Sequence, residues 1–381
     1  MASSADMKAK GQPVISLVAG EPDYATPDSI CLAGIRAITA GDTKIGSVNG
    51  TLALRTAIAS KLLKDNALEY APSQVLVAAG TKPLLHAAFL SVCDEGDEVI
   101  LPAPYWVSYP AIIELARARP VAVVCEEAHG FKLQPEQLRA AITPRTRAVL
   151  LNSPNNPSGA VYSASELSAL LAVLQEFPQI YVVTDEIYEH LVYDGECHVS
   201  PAALEPAMQD RFIVINGFSK GYGMIGWRMG FVAASQPVVH AMSGFLGHIV
   251  GSPSTIVQAA ALEALEGDQS FIAVNVGVYA DRRQLCLRAV ADIPGLTCAQ
   301  PLGSFFLFIG CAALLGKTSA AGKPLRTSAD LSAALLAEAN VALVPGEAFG
   351  MEGFLRLSYS ADEETLRAAL CKLKSFCAEL S

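Results

Sequence analysis

A chain of 381 residues is longer than one typical domain and predicts two, and its 52% of apolar residues supply a large core. The formal net charge of −10 argues against a nucleic-acid partner, which needs a basic face, and against an anionic membrane surface. The apolar runs fall far short of the roughly 18–20 residues a membrane span needs, and residues 1–10 lack the apolar stretch of a secretory signal and are expected to fray.

Val14–Ala19 reads as a short strand running into a Gly20-Glu-Pro-Asp23 turn. Residues 28–40 carry apolar positions at helical spacing after Pro27, with Thr26 or Asp28 able to cap, and residues 51–65 form an amphipathic helix. From about residue 74 a strand–loop–helix rhythm sets in. Strand-like runs are Gln74–Ala78, Glu98–Leu101, Pro120–Cys125, Ala148–Leu151, Ile180–Thr184, Phe212–Ile215 and Gly230–Ala233, with helices expected at 83–93, 105–118, 135–142 and 164–176. The runs lack polar alternation, as expected of strands covered on both faces in a mostly parallel α/β sheet. The pattern turns helical from Pro253 to about residue 290. A smaller α+β part follows, with strands at Phe305–Ile309, Val341–Val344 and Phe354–Ser358 and a closing helix near 363–379. The expected division is a large domain of residues 28–283 and a small domain of residues 1–27 and 284–381, cut within a long helix. Nine cysteines form no CxxC pair and no Cys/His cluster with zinc spacing, so buried free thiols and no metal are expected.

In such sheets ligands sit beyond the carboxyl ends of the strands. After Phe212–Ile215 comes Asn216–Gly230, with Lys220 in a glycine-rich loop, a hydroxyl at Ser219 and a guanidinium at Arg228. Ser219 and Arg228 suit a phosphate, and a lysine beside a phosphate site suggests an imine to the phosphorylated aldehyde pyridoxal 5′-phosphate (PLP). Ala79-Gly-Thr-Lys-Pro83 opens directly into a helix whose free N–H groups can take an anion. Trp106 could stack on a flat ring. Asn156 stands in the rigid Asn152–Gly159 loop and presents a neutral amide. Asp185, at the end of a buried strand, needs a cationic partner such as a pyridinium N–H, with Tyr188 three residues on. His190 reads as structural.

The order Asn156, Asp185, Tyr188, Lys220, Arg228 resembles the fold-type I PLP enzymes, within the class I/II aminotransferases and nearest their prokaryotic-type aspartate aminotransferase branch. Matching segments include Ala19–Asp23, Ala79–Lys82, Pro104–Pro110, Asn152–Gly159, Asp185–His190, Asn216–Gly230, Pro301–Phe305, Val344–Gly346 and Arg356–Tyr359, in the family's order. The resemblance implies a large domain with a seven-stranded, mostly parallel sheet between helices, a smaller α+β domain, a cytoplasmic homodimer, and amino-acid and 2-oxoacid substrates. It implies that Lys220 forms the internal aldimine and shuttles the α-proton, that Asp185 keeps the ring nitrogen protonated, and that Asn156 and Tyr188 bond the ring oxygen. Trp106 covers one ring face. By the same resemblance, Gly80, Thr81 and Lys82 through the loop backbone, with Ser219 and Arg228, are expected to receive the phosphate, and Arg356 to pair with the substrate α-carboxylate, assisted by Asn156 and the Gly20 backbone. Lys82 matches a lysine that holds a distal carboxylate, which favours aspartate with 2-oxoglutarate in a ping-pong reaction.

Three departures stand out. Ile45 occupies the place where the family often has a tyrosine reaching the partner's phosphate. A longer N-terminal arm is lacking, and the Gly221-Tyr-Gly223 run predicts a more mobile lysine loop. No arginine lies in Gly247–Pro253, where another branch finds its distal-carboxylate ligand. A lyase or cyclase resembling aminocyclopropane-carboxylate synthase shares Lys220, Asp185 and Arg356, so the motifs leave it open, as they leave open an aminotransferase for aromatic or other amino acids. A PLP-sensing regulator would carry a DNA-binding helix-turn-helix ahead of this region, and the chain opens on the enzyme-like part instead.

Overall fold

The computed structural model describes Met7, Ala9 and residues 11–381, so the fraying expected of residues 1–10 lies almost wholly outside the described residues. The first strand, β1 (Ile15–Ser16), is shorter than the apolar run that suggested it. Seven strands build the main sheet: β2 (Val75–Ala78), β3 (Glu98–Ala103), β4 (Arg119–Val124), β5 (Thr146–Asn152), β6 (Tyr181–Asp185), β7 (Phe212–Gly217) and β8 (Gly230–Ala234). Their order is β2-β8-β7-β6-β5-β3-β4. Only β8 runs antiparallel to its neighbours; the other pairs are parallel.

The strands read as unbroken apolar runs because successive side chains point to opposite faces and both faces are covered. Val75, Val77, Val149, Leu151, Val182 and Val214 join one core, against the helices Leu52–Asn66, Ala164–Gln175 and Thr255–Glu266. Leu76, Ala78, Ala148, Leu150, Val183 and Ile213 join the other, against Thr81–Val92 and Gln236–Ile249. β4 departs from this reading. It closes the sheet at one edge, its residues are only partly covered, and Val124 is 53% exposed.

A third core is built on β10 (Phe306–Gly310) and β13 (Phe354–Ser358), with the helices Ser328–Ala339 and Glu363–Ala378. β10 and β13 belong to an antiparallel sheet of order β12-β13-β10-β9, where β9 is Thr297–Cys298 and β12 is Val344–Pro345. The run expected as one strand over Val341–Val344 splits at Leu343. Val341–Ala342 (β11) pairs with β1, and Val344–Pro345 pairs with β13. The long helix Ser270–Ala291 packs Phe271 and Ile272 on the main-sheet core and buries Tyr279, Leu285, Cys286 and Val290 in the third.

Helix starts follow local chemistry. Thr51, Ser163, Thr327 and Asp362 each accept a backbone N–H with the side chain. The helix Asp28–Thr39 is the exception to expectation: its start at Pro27 has no side-chain cap, because Asp28 is already helical and Thr26 donates its hydroxyl to Gly223 O. Among the described residues no helix is long and apolar enough to cross a membrane. All nine cysteines are free; five are buried, while Cys197 and Cys371 are exposed.

Candidate active site

The carboxyl ends of β2, β5, β6 and β7 open on one cavity of about 860 Å³, lined among others by Gly20, Thr81, Lys82, Trp106, Asn156, Asp185, Tyr188, Ser219, Lys220, Arg228 and Arg356. The residues singled out from the sequence thus share one space, apart from Gly80, which lies just behind it. Gly80 precedes the helix Thr81–Val92 with φ +91°, and a Cβ there would stand 2.5 Å from Arg228 Nη2. At that φ a side-chain-bearing residue would be strained, and its Cβ would crowd the guanidinium where it lies against this helix start. Arg228 itself holds a left-handed φ of +56°, uncommon for a side-chain-bearing residue, and anchors Nη1 on Ile225 O at 2.9 Å. Ser219 is buried beside Lys220. Free helical N–H groups, a hydroxyl and a fork of cationic donors together make an anion cradle.

Asp185 closes β6 and is almost fully buried. Tyr109 Oη donates to its Oδ2 at 2.8 Å and Ile187 N to its Oδ1 at 3.2 Å. Burial nevertheless dominates and pushes this carboxyl up to about 6. A carboxylate in such a place calls for a cation, and the ring N–H of a protonated heterocycle supplies one. Tyr188 is also buried, which holds its phenol above the ordinary value.

Lys220 donates its Nζ to Gly20 O. The amine lies 5.8 Å from the Tyr188 ring centre and 5.9 Å from that of Phe305. Burial lowers it from 10.5 to about 8; Glu21 opposes the shift and Arg228 adds to it. An amine-reactive reagent applied to the cofactor-free enzyme is therefore expected to label Lys220 with a midpoint near pH 8, read by peptide mass spectrometry, against roughly 10.4 for exposed lysines. A midpoint equal to that of the surface lysines would contradict this environment.

Arg356 enters from β13 and is buried between Phe306, 4.4 Å from its guanidinium, and Phe349, at 4.9 Å. Nη1 donates to Asn156 Oδ1 at 2.9 Å and Nη2 to Val18 O at 2.7 Å, while Nε has no partner among the described residues. Asn156 is set by the β5 loop: its N–H donates to Asn152 Oδ1 at 3.0 Å, and Asn152 Nδ2 donates to Asp185 O at 2.9 Å. Trp106 meets Tyr109 edge to face at 5.3 Å, and the exposed Lys82 places Nζ over the Trp106 ring at 5.0 Å.

Sequence reasoning assigned no role to Tyr109 or Asn152. Tyr109 lies in the quoted Pro104–Pro110 segment, but its hydroxyl partner is 76 residues away. The Gly221-Tyr-Gly223 run is also more filled than expected. A Cβ on Gly221 would run into the His190 ring, and one on Gly223 would stand 2.9 Å from the Tyr24 ring. His190 takes part as packing, with Nε2 at 3.3 Å from Tyr222 Oη. Behind β6, Glu186, Glu189 and His198 bring ligand atoms within 4.8 Å of one another, but Lys61 Nζ already pairs with Glu189 at 2.5 Å and supplies the cation there.

The sequence matches the aminotransferases of class I and II over residues 12–373. It is 44% identical to the aspartate aminotransferase of Rhizobium meliloti over 380 residues, covering 100% of this chain and 93% of that protein. This chain belongs to the class I and II aminotransferases. It is likewise 44% identical to the aspartate/prephenate aminotransferase of Cereibacter sphaeroides, covering 99% of this chain and 94% of that one. The crystal structure of the Rhizobium meliloti aspartate aminotransferase superimposes with a TM-score of 0.97, covering 100% of this chain and 95% of that chain. The Thermus thermophilus aspartate aminotransferase solved with maleate gives 0.92 at 37% identity, covering 98% and 94%. The fold is therefore that of the fold-type I enzymes, the chain is an aminotransferase acting on amino acids and 2-oxoacids, and its cofactor is PLP.

Proposed function

We propose that this aminotransferase exchanges an amino group between aspartate and 2-oxoglutarate by a ping-pong mechanism, with Lys220 as the covalent anchor and proton shuttle. The observation that carries the reading is the single cavity in which the Lys220 amine, the Asp185 carboxyl and the Arg356 fork converge. The residues fit the cofactor: Asp185 is a buried acid short of a cation, and Gly80 keeps an anion cradle open under Arg228. When bound, PLP supplies an aldehyde that takes the amino group and a conjugated ring that accepts the electron pair released at Cα.

Each residue then has a defined task. Asp185 holds the ring nitrogen protonated, and Tyr109 keeps that carboxylate in place. The backbone of Gly80, Thr81 and Lys82, with Ser219 and Arg228, would bind the phosphate, Asn156 and Tyr188 would bond the ring oxygen, and Trp106 would cover the ring. Arg356 binds the α-carboxylate common to both substrates, with Asn156 and the Gly20 backbone beside it. Burial brings Lys220 Nζ down to about 8, so that a working fraction is neutral near physiological pH. It would take the proton from substrate Cα and deliver it to the cofactor's aldehyde carbon, with the reverse transfer protonating Cα of the new amino acid in the second half-reaction. Fixed placement of the shuttle and the clamp supplies the orientation the reaction needs.

Lys82 supports a distal carboxylate, because it is a cation on the cavity wall outside the Lys220, Arg228 and Arg356 set. Coupled assays are expected to show glutamate and oxaloacetate formed from aspartate and 2-oxoglutarate; no product with this pair would sink the choice of substrates. A second reading follows from the apolar wall of Val18, Ala333, Leu336 and Val344. That wall suits a bulkier or aromatic 2-oxoacid, and turnover of phenylpyruvate or prephenate in the same assay would support it.

We further propose a division into residues 28–283 and residues 1–27 with 284–381, and a homodimer. Exposed Leu32, Ile35 and Ile38 on the helix Asp28–Thr39, with Ile45 at 94% exposure and Ile249, offer an apolar face for a second copy. Light scattering of the purified enzyme is expected to give twice the 40.0 kDa chain mass; a monomer at micromolar concentration would count against it. The free thiols suit a cytoplasmic setting.

A further inference from the structure

The segment Gly20–Thr26 holds the Lys220 loop at several points, and beyond Gly20 the roles above leave them unused. Gly20 O accepts the Lys220 amine. At the other end of the same residue, Tyr24 Oη donates to the Lys220 backbone carbonyl at 2.5 Å, with Gly221 O a further 3.3 Å acceptor. Thr26 Oγ1 donates to Gly223 O at 2.6 Å and accepts from Trp227 Nε1 at 2.9 Å. The ring of Tyr24 has its own berth. Gly223 holds φ +63°, and a Cβ there would stand 2.9 Å from Tyr24 Cε2 and 3.0 Å from Cδ2. The far side of the segment is fastened to the helix Ser270–Ala291, where Asp23 pairs with Arg282 at 2.8 Å and accepts from Tyr279 Oη at 3.1 Å. The Tyr24 and Tyr279 rings pack at 6.0 Å.

We propose that Tyr24 is a positioning residue for Lys220: its hydroxyl fixes the peptide plane that follows the lysine, and so keeps the amine between Gly20 O and the cavity. The inference rests on the reading of Lys220 as the shuttle. A side chain's reach is set by the orientation of its backbone, and a carbonyl held from outside cannot swing as the amine binds and releases its partners. Burial, reinforced by Asp23, raises the Tyr24 phenol well above its ordinary value, so it remains a donor throughout the working pH range. The segment also ties the lysine loop to the long helix that packs on two cores.

The test is Tyr24→Phe in the full chain, which keeps the ring and removes one hydroxyl. In the cofactor-free variant, the labelling midpoint of Lys220 is expected to rise by about half a pH unit or more as the amine leaves its enclosed position. Amides 219–223 are expected to exchange about fivefold faster, and kcat to fall about five- to tenfold with KM within about twofold. Thr26→Val, which cuts the neighbouring bond but keeps the Tyr24 hydroxyl, is expected to retain the wild-type midpoint. An unchanged midpoint and kcat in Tyr24→Phe would overturn the proposal, as would lost thermal stability with no midpoint shift, or an equal shift in Thr26→Val. Failure of the Lys220 reading itself is seen separately, as cofactor attachment to some other residue of the wild-type enzyme.

Discussion

Lys220→Ala is expected to lower kcat for transamination by at least about 10⁴-fold, the combined loss of the covalent anchor and of the base at Cα. No neighbour can replace it. Arg228 and Arg356 carry guanidinium groups, Lys82 stands over Trp106 at the cavity wall, and burial keeps the Tyr188 phenol protonated. The variant is expected to fold and still bind PLP, because Asp185 and the Gly80–Arg228 cradle are untouched and a buried amine is removed. Single-turnover measurements with added methylamine separate the two losses: partial rescue by the free amine identifies the missing proton shuttle. Retained turnover within about tenfold of wild type would refute the assignment.

Arg356→Lys carries the second-largest expected effect. It preserves charge but not the planar fork, and a lysine cannot donate at once to Asn156 Oδ1, to Val18 O and to a carboxylate from between two aromatic rings. Burial draws the guanidinium down to about 10, still protonated at neutral pH, whereas an ammonium in the same place would lose its proton more readily. The expected fall in kcat/KM is about 10²–10³-fold, on the scale of a broken buried charge contact. Because both substrates carry the α-carboxylate, donor and acceptor are expected to suffer alike, read as parallel losses in the two half-reactions. A loss confined to dicarboxylic substrates would place Arg356 on the distal group instead.

The sequence showed the main-sheet strands well, because two-sided burial leaves no polar residue to break a run such as Phe212–Ile215. It overestimated the cover on Pro120–Cys125, since a run at a sheet edge has the same composition as one at its centre. It also merged β11 with β12, because a buried Leu343 reads as strand even where the chain passes from one sheet to another. Asp185 and Lys220 were visible as chemically misplaced residues at strand ends. Arg356 gained its meaning from the family resemblance, since an arginine within an apolar strand carries no local signal for the carboxylate it would bind. Tyr109, Asn152 and Tyr24 were invisible for a further reason. Their partners lie 76, 33 and 196 residues away, so only the folded chain brings hydroxyl or amide to acceptor. The glycine at 223 points the same way: in sequence it suggests freedom, while in the fold it is the space that Tyr24 fills.

Covalent attachment is the claim on which the rest depends. Reducing the PLP-loaded enzyme with sodium borohydride, digesting it and locating the phosphopyridoxyl mass by tandem mass spectrometry tests it most directly. The expected result is a single modified residue, Lys220, lost in Lys220→Ala; modification of Lys82 or any other lysine, or none at all, would contradict it.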